Sequence, residues 1–117
     1  MIDSTLLKGS LKPLILKLLD ENGRMYGYEI TQKVEKITRG QVKLTYGALY
    51  PILHKLEKDG AVTTETEMVN NRTRVYYALT KKGNSLAREK IEELKAFVDT
   101  LTAILKPNPL TDYVRAD

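Results

Sequence analysis

Thr45-Tyr46-Gly47-Ala48-Leu49-Tyr50-Pro51-Ile52-Leu53-His54-Lys55-Leu56-Glu57-Lys58, closed by Asp59-Gly60 and followed by the runs Val62–Val69 and Arg72–Leu79 around Asn70-Asn71, is the stretch that decides the fold. Leu49, Ile52, Leu53 and Leu56 recur at three- and four-residue spacing, which predicts a helix to Lys58 with one apolar stripe and Thr45 as its cap. Pro51 costs an interior helix a hydrogen bond and presses on the carbonyl four residues back. Here that residue is Gly47, close to an amino end where amides lack partners anyway, so the expectation is a bend in the first turns of a helix that survives. Asn70-Asn71 tolerates positive φ, so a two-residue hairpin follows. Its register places Val69 opposite Arg72, Glu67 opposite Arg74 and Glu65 opposite Tyr76 on one face. Thr66 then meets Val75, Thr64 meets Tyr77 and Val62 meets Leu79 on the more apolar face. Tyr77 is expected buried and Tyr76 exposed.

Upstream, Ser10 to Glu21 carries Leu11, Leu14, Ile15, Leu18 and Leu19 as one broad apolar face, with Ser10 as cap and Asn22-Gly23 as stop. Tyr26 to about Ile37 repeats the pattern through Ile30, Val34 and Ile37, closed by Arg39-Gly40, with Tyr26 and Tyr28 read as packing residues around Gly27. Gln41–Leu44 reads as a short extended link. Downstream, after Thr80 as cap, a helix to about Leu105 places Ala87, Ile91, Leu94, Val98, Leu101 and Leu105 on a heptad seam widened by Phe97 and Ile104. About 25 residues span nearly 40 Å, too long for a three-helix core to cover, so the seam is expected to find a second copy of the chain. Pro107 and Pro109 stop it.

Residues 1–80 are thus expected to form one domain, 81–106 a dimerisation helix and 107–117 a tail. At 117 residues there is no room for a second catalytic domain. The absence of cysteine excludes disulfides, thiolate metal sites and thiol nucleophiles, and His54, the single histidine, leaves no metal cluster to assemble. No nucleophile with base and orienting group can be built, so neither enzyme chemistry nor a cofactor is expected. The short apolar runs near Pro13 fall far below a membrane span or a signal-peptide core, which reads as a cytoplasmic chain with no membrane partner.

The net charge of +4 is modest, but its distribution is informative. Arg72, Arg74, Lys81 and Lys82 fall in a window without an acid, and Arg39, Lys43, Lys55 and Lys58 in one holding Glu57 alone. Three helices followed by a hairpin is the order of a mainly α winged helix-turn-helix, whose third helix enters the major groove while the hairpin reaches the neighbouring backbone. Candidate DNA-binding residues are therefore Lys43, Thr45, Tyr46, Ala48, Tyr50 and His54 on or before that helix, with Arg72 and Arg74 at the wing. Competing readings are a surface ion pair of Arg74 with Glu67, solvent screening of Lys81 and Lys82 at a helix start, and half-buried packing for Tyr46 and Tyr50. The seam residues Ala87, Ile91, Leu94, Phe97, Val98, Leu101 and Leu105 are the candidate dimer interface. The alternative is a winged-helix module that docks a protein partner and binds no DNA.

Four spaced segments carry a family resemblance. They are Met25-Tyr26-Gly27-Tyr28-Glu29-Ile30, Gly47-Ala48-Leu49-Tyr50-Pro51-Ile52-Leu53, Leu56-Glu57-Lys58-Asp59-Gly60 and Tyr76-Tyr77-Ala78-Leu79-Thr80-Lys81-Lys82-Gly83. In this order they resemble the PadR family of bacterial transcriptional regulators, in its compact branch with a single carboxy-terminal helix. The resemblance implies a winged-helix homodimer that represses a nearby promoter and is often released by a small molecule. Where that branch binds drugs, an interface tryptophan stacks on the ligand. This chain has no tryptophan, and Phe97 is the only large non-tyrosine aromatic on the long helix.

Overall fold

The computed structural model describes residues 1–107. Its elements run α1 (Ser4–Leu7), α2 (Leu11–Asn22), β1 (Arg24–Tyr26), α3 (Gly27–Ile37), α4 (Tyr46–Lys58), β2 (Val62–Val69), β3 (Arg72–Leu79) and α5 (Lys81–Leu105). The fold is a winged helix-turn-helix with a long final helix, as the residue pattern predicts. Among the described residues, no helix is long and apolar enough to cross a membrane.

The core forms where three apolar stripes meet. Ile15, Leu16, Leu18 and Leu19 of α2, Ile30 and Val34 of α3, and Leu49, Leu53 and Leu56 of α4 are all essentially inaccessible to solvent. Each such side chain contributes about 1.5–3 kcal/mol of apolar burial, so these three stripes fix how the helices are rotated about their axes. Val42 and Leu44 are buried and Lys43 between them is exposed, because the link from α3 to α4 is extended and alternates its side chains. Ile37, expected on the buried stripe of α3, is 55% exposed because the helix ends there. Thr38 then turns the chain, its Oγ donating to the Val34 carbonyl and accepting from the Val42 amide.

Three local features depart from the sequence reading. Ser10 makes no side-chain cap to α2; a one-turn helix, α1, precedes it instead, capped by Asp3 through the Thr5 amide. Arg24–Tyr26 adds a third antiparallel strand, giving the order β1-β3-β2. Three residues are too few to show a period-2 pattern, which is why this strand is invisible in the sequence. Tyr76, expected exposed, is half-buried because β1 lays Arg24 and Tyr26 against it.

The hairpin register is the predicted one at every position from Val62↔Leu79 to Val69↔Arg72, with Asn70 and Asn71 at φ of 51° and 63° as a two-residue turn requires. Tyr77 is buried as expected, but Val75, on the same face, is 39% exposed because the wing extends beyond the helices there. Burial pushes the Tyr77 phenol above its ordinary value, with smaller contributions from Tyr50 and Glu57.

The start of α5 is locked onto the end of α4. Thr80 Oγ accepts from the Gly83 amide and donates to the Gly60 carbonyl, and Lys82 Nζ donates to the Asp59 carbonyl at 2.6 Å. That bond gives Lys82 a carbonyl partner at a helix end whose dipole disfavours cations, in place of the screening by solvent alone considered above. A Cβ on Gly83 would collide with the backbone carbonyl of Ala61.

Gly83→Ala is therefore expected to destabilise the protein by about 2 kcal/mol or more, measured by urea unfolding, since the obstructing atom is backbone and the α4–α5 junction has to move. Because the folded state holds the Tyr77 phenol protonated, its contribution is complete below pH of about 10 and is lost as pH rises through the elevated folded value. Stability profiles between neutral and strongly alkaline pH are expected to fall less steeply for Tyr77→Phe than for the parent.

Candidate nucleic-acid interface

Because Leu49, Leu53 and Leu56 face the core, α4 turns the opposite side outward, and its capping threonine sets where that side begins. Thr45 Oγ accepts from the Ala48 amide at 3.2 Å, so this exposed residue both starts the helix and stands at its outer edge. Lys43 and Tyr46 are exposed beside it, Tyr46 at 49%. Tyr46, Tyr50 and His54 form a row at one-turn spacing, with ring centroids 5.6 Å and 6.0 Å apart. His54 is exposed.

Tyr50 and Ala48 sit deeper than the sequence reading placed them. Tyr50 is half-buried against the core and its hydroxyl lies over Gly27, where an added Cβ would clash with it. Gly27 thus lets α3 and α4 approach with the Tyr50 hydroxyl between them, while the Tyr50 ring stands in the row between exposed Tyr46 and His54. Ala48 is half-buried against the same core. Gly47 and Pro51, read above only for the bend at the helix start, are exposed on the outer side. Taking the positions two residues either side of Leu49, on the opposite face of the helix, would have found them. Tyr28, expected as packing, is 54% exposed and borders a groove with Gln32, Lys43 and Tyr46 between α3 and the start of α4.

The wing adds two arginines. Arg72 is exposed beside the turn and forms no ion pair among the described residues. Arg74 stands opposite Glu67 in register but is not paired with it. Its guanidinium lies 4.4 Å from the centroid of the Tyr26 ring. The Tyr76 phenol first, then Tyr26 and Glu29, push its pKa above the ordinary arginine value against some desolvation. Glu67 is held by Arg24, a residue the sequence reading missed because the strand carrying it was not recognised. Arg24 Nη1 donates to Glu65 at 2.8 Å and Nη2 to Glu67 at 2.7 Å, and its guanidinium sits 4.1 Å from the centre of the Tyr76 ring. Among the described residues no cluster of His, Asp and Glu is arranged to hold a metal ion.

The seam of α5 divides in two. Ala87 is fully buried in the chain's own core and Ile91 packs against that core, so Ala87, placed above on an interface between copies, is a core residue of one chain. The reason is that the first turns of α5 lie across α2. Leu94 is half-buried and borders grooves on either side of Pro13, one with Leu6 and Phe97, the other with Leu14, Ile91 and Val98. Beyond it, Phe97, Val98, Leu101, Ile104 and Leu105 are uncovered, from 38% for Leu101 to 78% for Leu105.

Comparison with known proteins points one way. The chain is 33% identical to a transcriptional regulator of Mycobacterium tuberculosis over 76 residues, 62% of this chain and 68% of that protein. Among solved structures, a transcriptional regulator from Clostridium thermocellum superposes with a TM-score of 0.78 at 27% identity, covering 87% of this chain and 99% of the other. A PadR-like transcription factor from Bacteroides fragilis does so with a TM-score of 0.68 at 32% identity, covering 86% and 95%. The profile of the transcriptional regulator PadR-like family matches residues 15–89, which hold α3, α4, the whole wing and the Gly83 junction, and the chain belongs to that family.

Proposed function

We propose that the protein is a sequence-specific DNA-binding regulator that acts as a homodimer on a palindromic operator. The supporting observation is the outer edge of α4 and the wing, where Lys43, Thr45, Tyr46 and His54 are exposed and Arg72 and Arg74 carry charges that no acid neutralises by an ion pair among the described residues. In this reading α4 lies in the major groove and the wing follows the adjacent phosphates. Phosphate contacts from Lys43, Arg72 and Arg74 supply most of the affinity, and the exposed side of α4 supplies sequence preference. Tyr50 contributes by seating α4 on α3. Residues 1–80, completed by the first turns of α5 through Ala87, serve as the DNA-binding unit, and the remainder of 81–106 as the dimerisation helix.

The dimer reading is supported by the apolar residues left uncovered on α5 from Phe97 to Leu105. A monomer exposing such a contiguous stripe is unusual, and a second copy related by a two-fold axis would cover it. Two copies would then offer their α4 helices to half-sites about 34 Å apart, or a multiple of that. Repression of a nearby promoter and release by a small molecule are the family's habits carried to this chain. The grooves flanking Leu94 on the uncovered seam, with Phe97 at one edge, are where such an effector would enter.

Gel shifts against the DNA upstream of the protein's own gene test the reading. A discrete retarded complex is expected, and its absence on every duplex tried would favour the protein-docking alternative. Arg72→Ala is expected to weaken binding to specific and random duplex alike and to flatten the salt slope by about one unit per protomer; an unchanged slope would remove Arg72 from the interface. Val98→Glu combined with Leu101→Glu, both at positions already exposed in a single chain, is expected to give folded monomers by light scattering. A dimer of unchanged mass would place the interface elsewhere.

A further inference from the structure

The outer face of the wing sheet holds an arrangement that pairwise cross-strand rules do not produce. Glu67 of β2 stands directly opposite Arg74 of β3, the position from which opposite charges ordinarily pair. Instead, Arg24 reaches from β1 across the central strand, over the Tyr76 ring, and takes both Glu65 and Glu67. Arg74 leans the other way, over the Tyr26 ring on β1. Tyr26 and Tyr76 meet edge to face at 5.4 Å between the two guanidinium groups, so the crossed arginines and the two rings form one packed unit. Arg24 donates one nitrogen to each carboxylate, a charge-assisted fork that a lysine could not reproduce. The cation facing Tyr26 has no carboxylate within ion-pair distance among the described residues. Left to the strand register alone, it would have one.

We propose that Arg24 is a positioning residue for the wing: by holding Glu65 and Glu67 it keeps Arg74 out of an ion pair and available to a phosphate oxygen of duplex DNA. The proposal rests on the DNA-binding reading above and adds a residue that touches no DNA itself. Loss of Arg24 releases two carboxylates on the face that carries Arg74. Glu67 then takes the register partner it stands opposite, and one phosphate contact per protomer is cancelled from within the protein.

The test is a double-mutant cycle read by the salt dependence of binding to a random-sequence duplex. Arg24→Gln is expected to flatten the slope by about one unit per protomer, as Arg74→Ala does. Adding Glu67→Gln to Arg24→Gln is expected to restore the parental slope, because the carboxylate directly opposite Arg74 is gone, while the other released one, Glu65, stands opposite Tyr76. If the double variant stays as flat as Arg24→Gln, Arg24 itself contacts DNA or merely supports the wing, and the proposal is overturned. If Arg24→Gln does not fold, the double variant carries the test alone, a parental slope supporting the proposal and a flattened one overturning it. The redistribution is also read without DNA, by NMR of arginine side chains: Arg74 Nε–H exchange is expected to slow in Arg24→Gln and to recover in the double variant. Unchanged exchange overturns the proposal whether or not the protein binds DNA, whereas parental protein that binds no duplex while Arg74 exchange shifts as expected places the failure in the DNA-binding reading.

Discussion

Burial of the leucine stripe on α4 is the constraint on which the rest depends. Leu49, Leu53 and Leu56 are held in a core with α2 and α3, and rotating α4 about its axis would expose them at a cost of several kcal/mol. The opposite side, from Thr45 through Tyr46 to His54, is thereby committed to solvent. Gly27 extends the same constraint, since only a residue without a side chain lets the Tyr50 hydroxyl settle against α3. At the other end, Lys82 and Thr80 bond the carbonyls of Asp59 and Gly60, so that α4, the wing and α5 meet at one junction.

From that junction α5 inherits two roles along a single seam. Its first turns complete the core through Ala87, and its later turns carry apolar side chains out beyond it. A helix rising about 1.5 Å per residue for 25 residues outruns the α2 surface it packs on. The proposed dimer covers what remains. Coupling from an effector at Leu94 and Phe97 to the spacing of the two α4 helices would then pass through one rigid element, a physical basis for switching by rotation of the protomers.

Much of this was legible in the sequence, for reasons that differ by element. Helices α2, α3, α4 and α5 announce themselves by long apolar periods, and the hairpin by Asn70-Asn71, whose two-residue loop determines the register at every pair. What the pattern could not show is short or diagonal. Strand β1 has three residues and no period, and without it the position of Arg24 has no meaning. The Glu67–Arg74 pair suggested by register fails because Arg24 arrives from a strand two places away in the sheet. Ala87 and Tyr50 illustrate a second limit: periodicity assigns a side chain to a stripe, but which partner covers it depends on where the neighbouring helix ends. For the candidate interface, charge distribution pointed to the wing and the start of α4, while depth along α4 became visible only once α3 was in place.

Hydroxyl-radical footprinting of the purified protein on a bound genomic fragment reads the placement of α4 and the wing directly. The expected pattern is two protected patches on one side of the duplex, related by two-fold symmetry and separated by one helical turn or a multiple of it. A single patch, or a backbone cleaved uniformly at protein concentrations that saturate any low-salt association, would contradict the paired presentation of α4 and the wing.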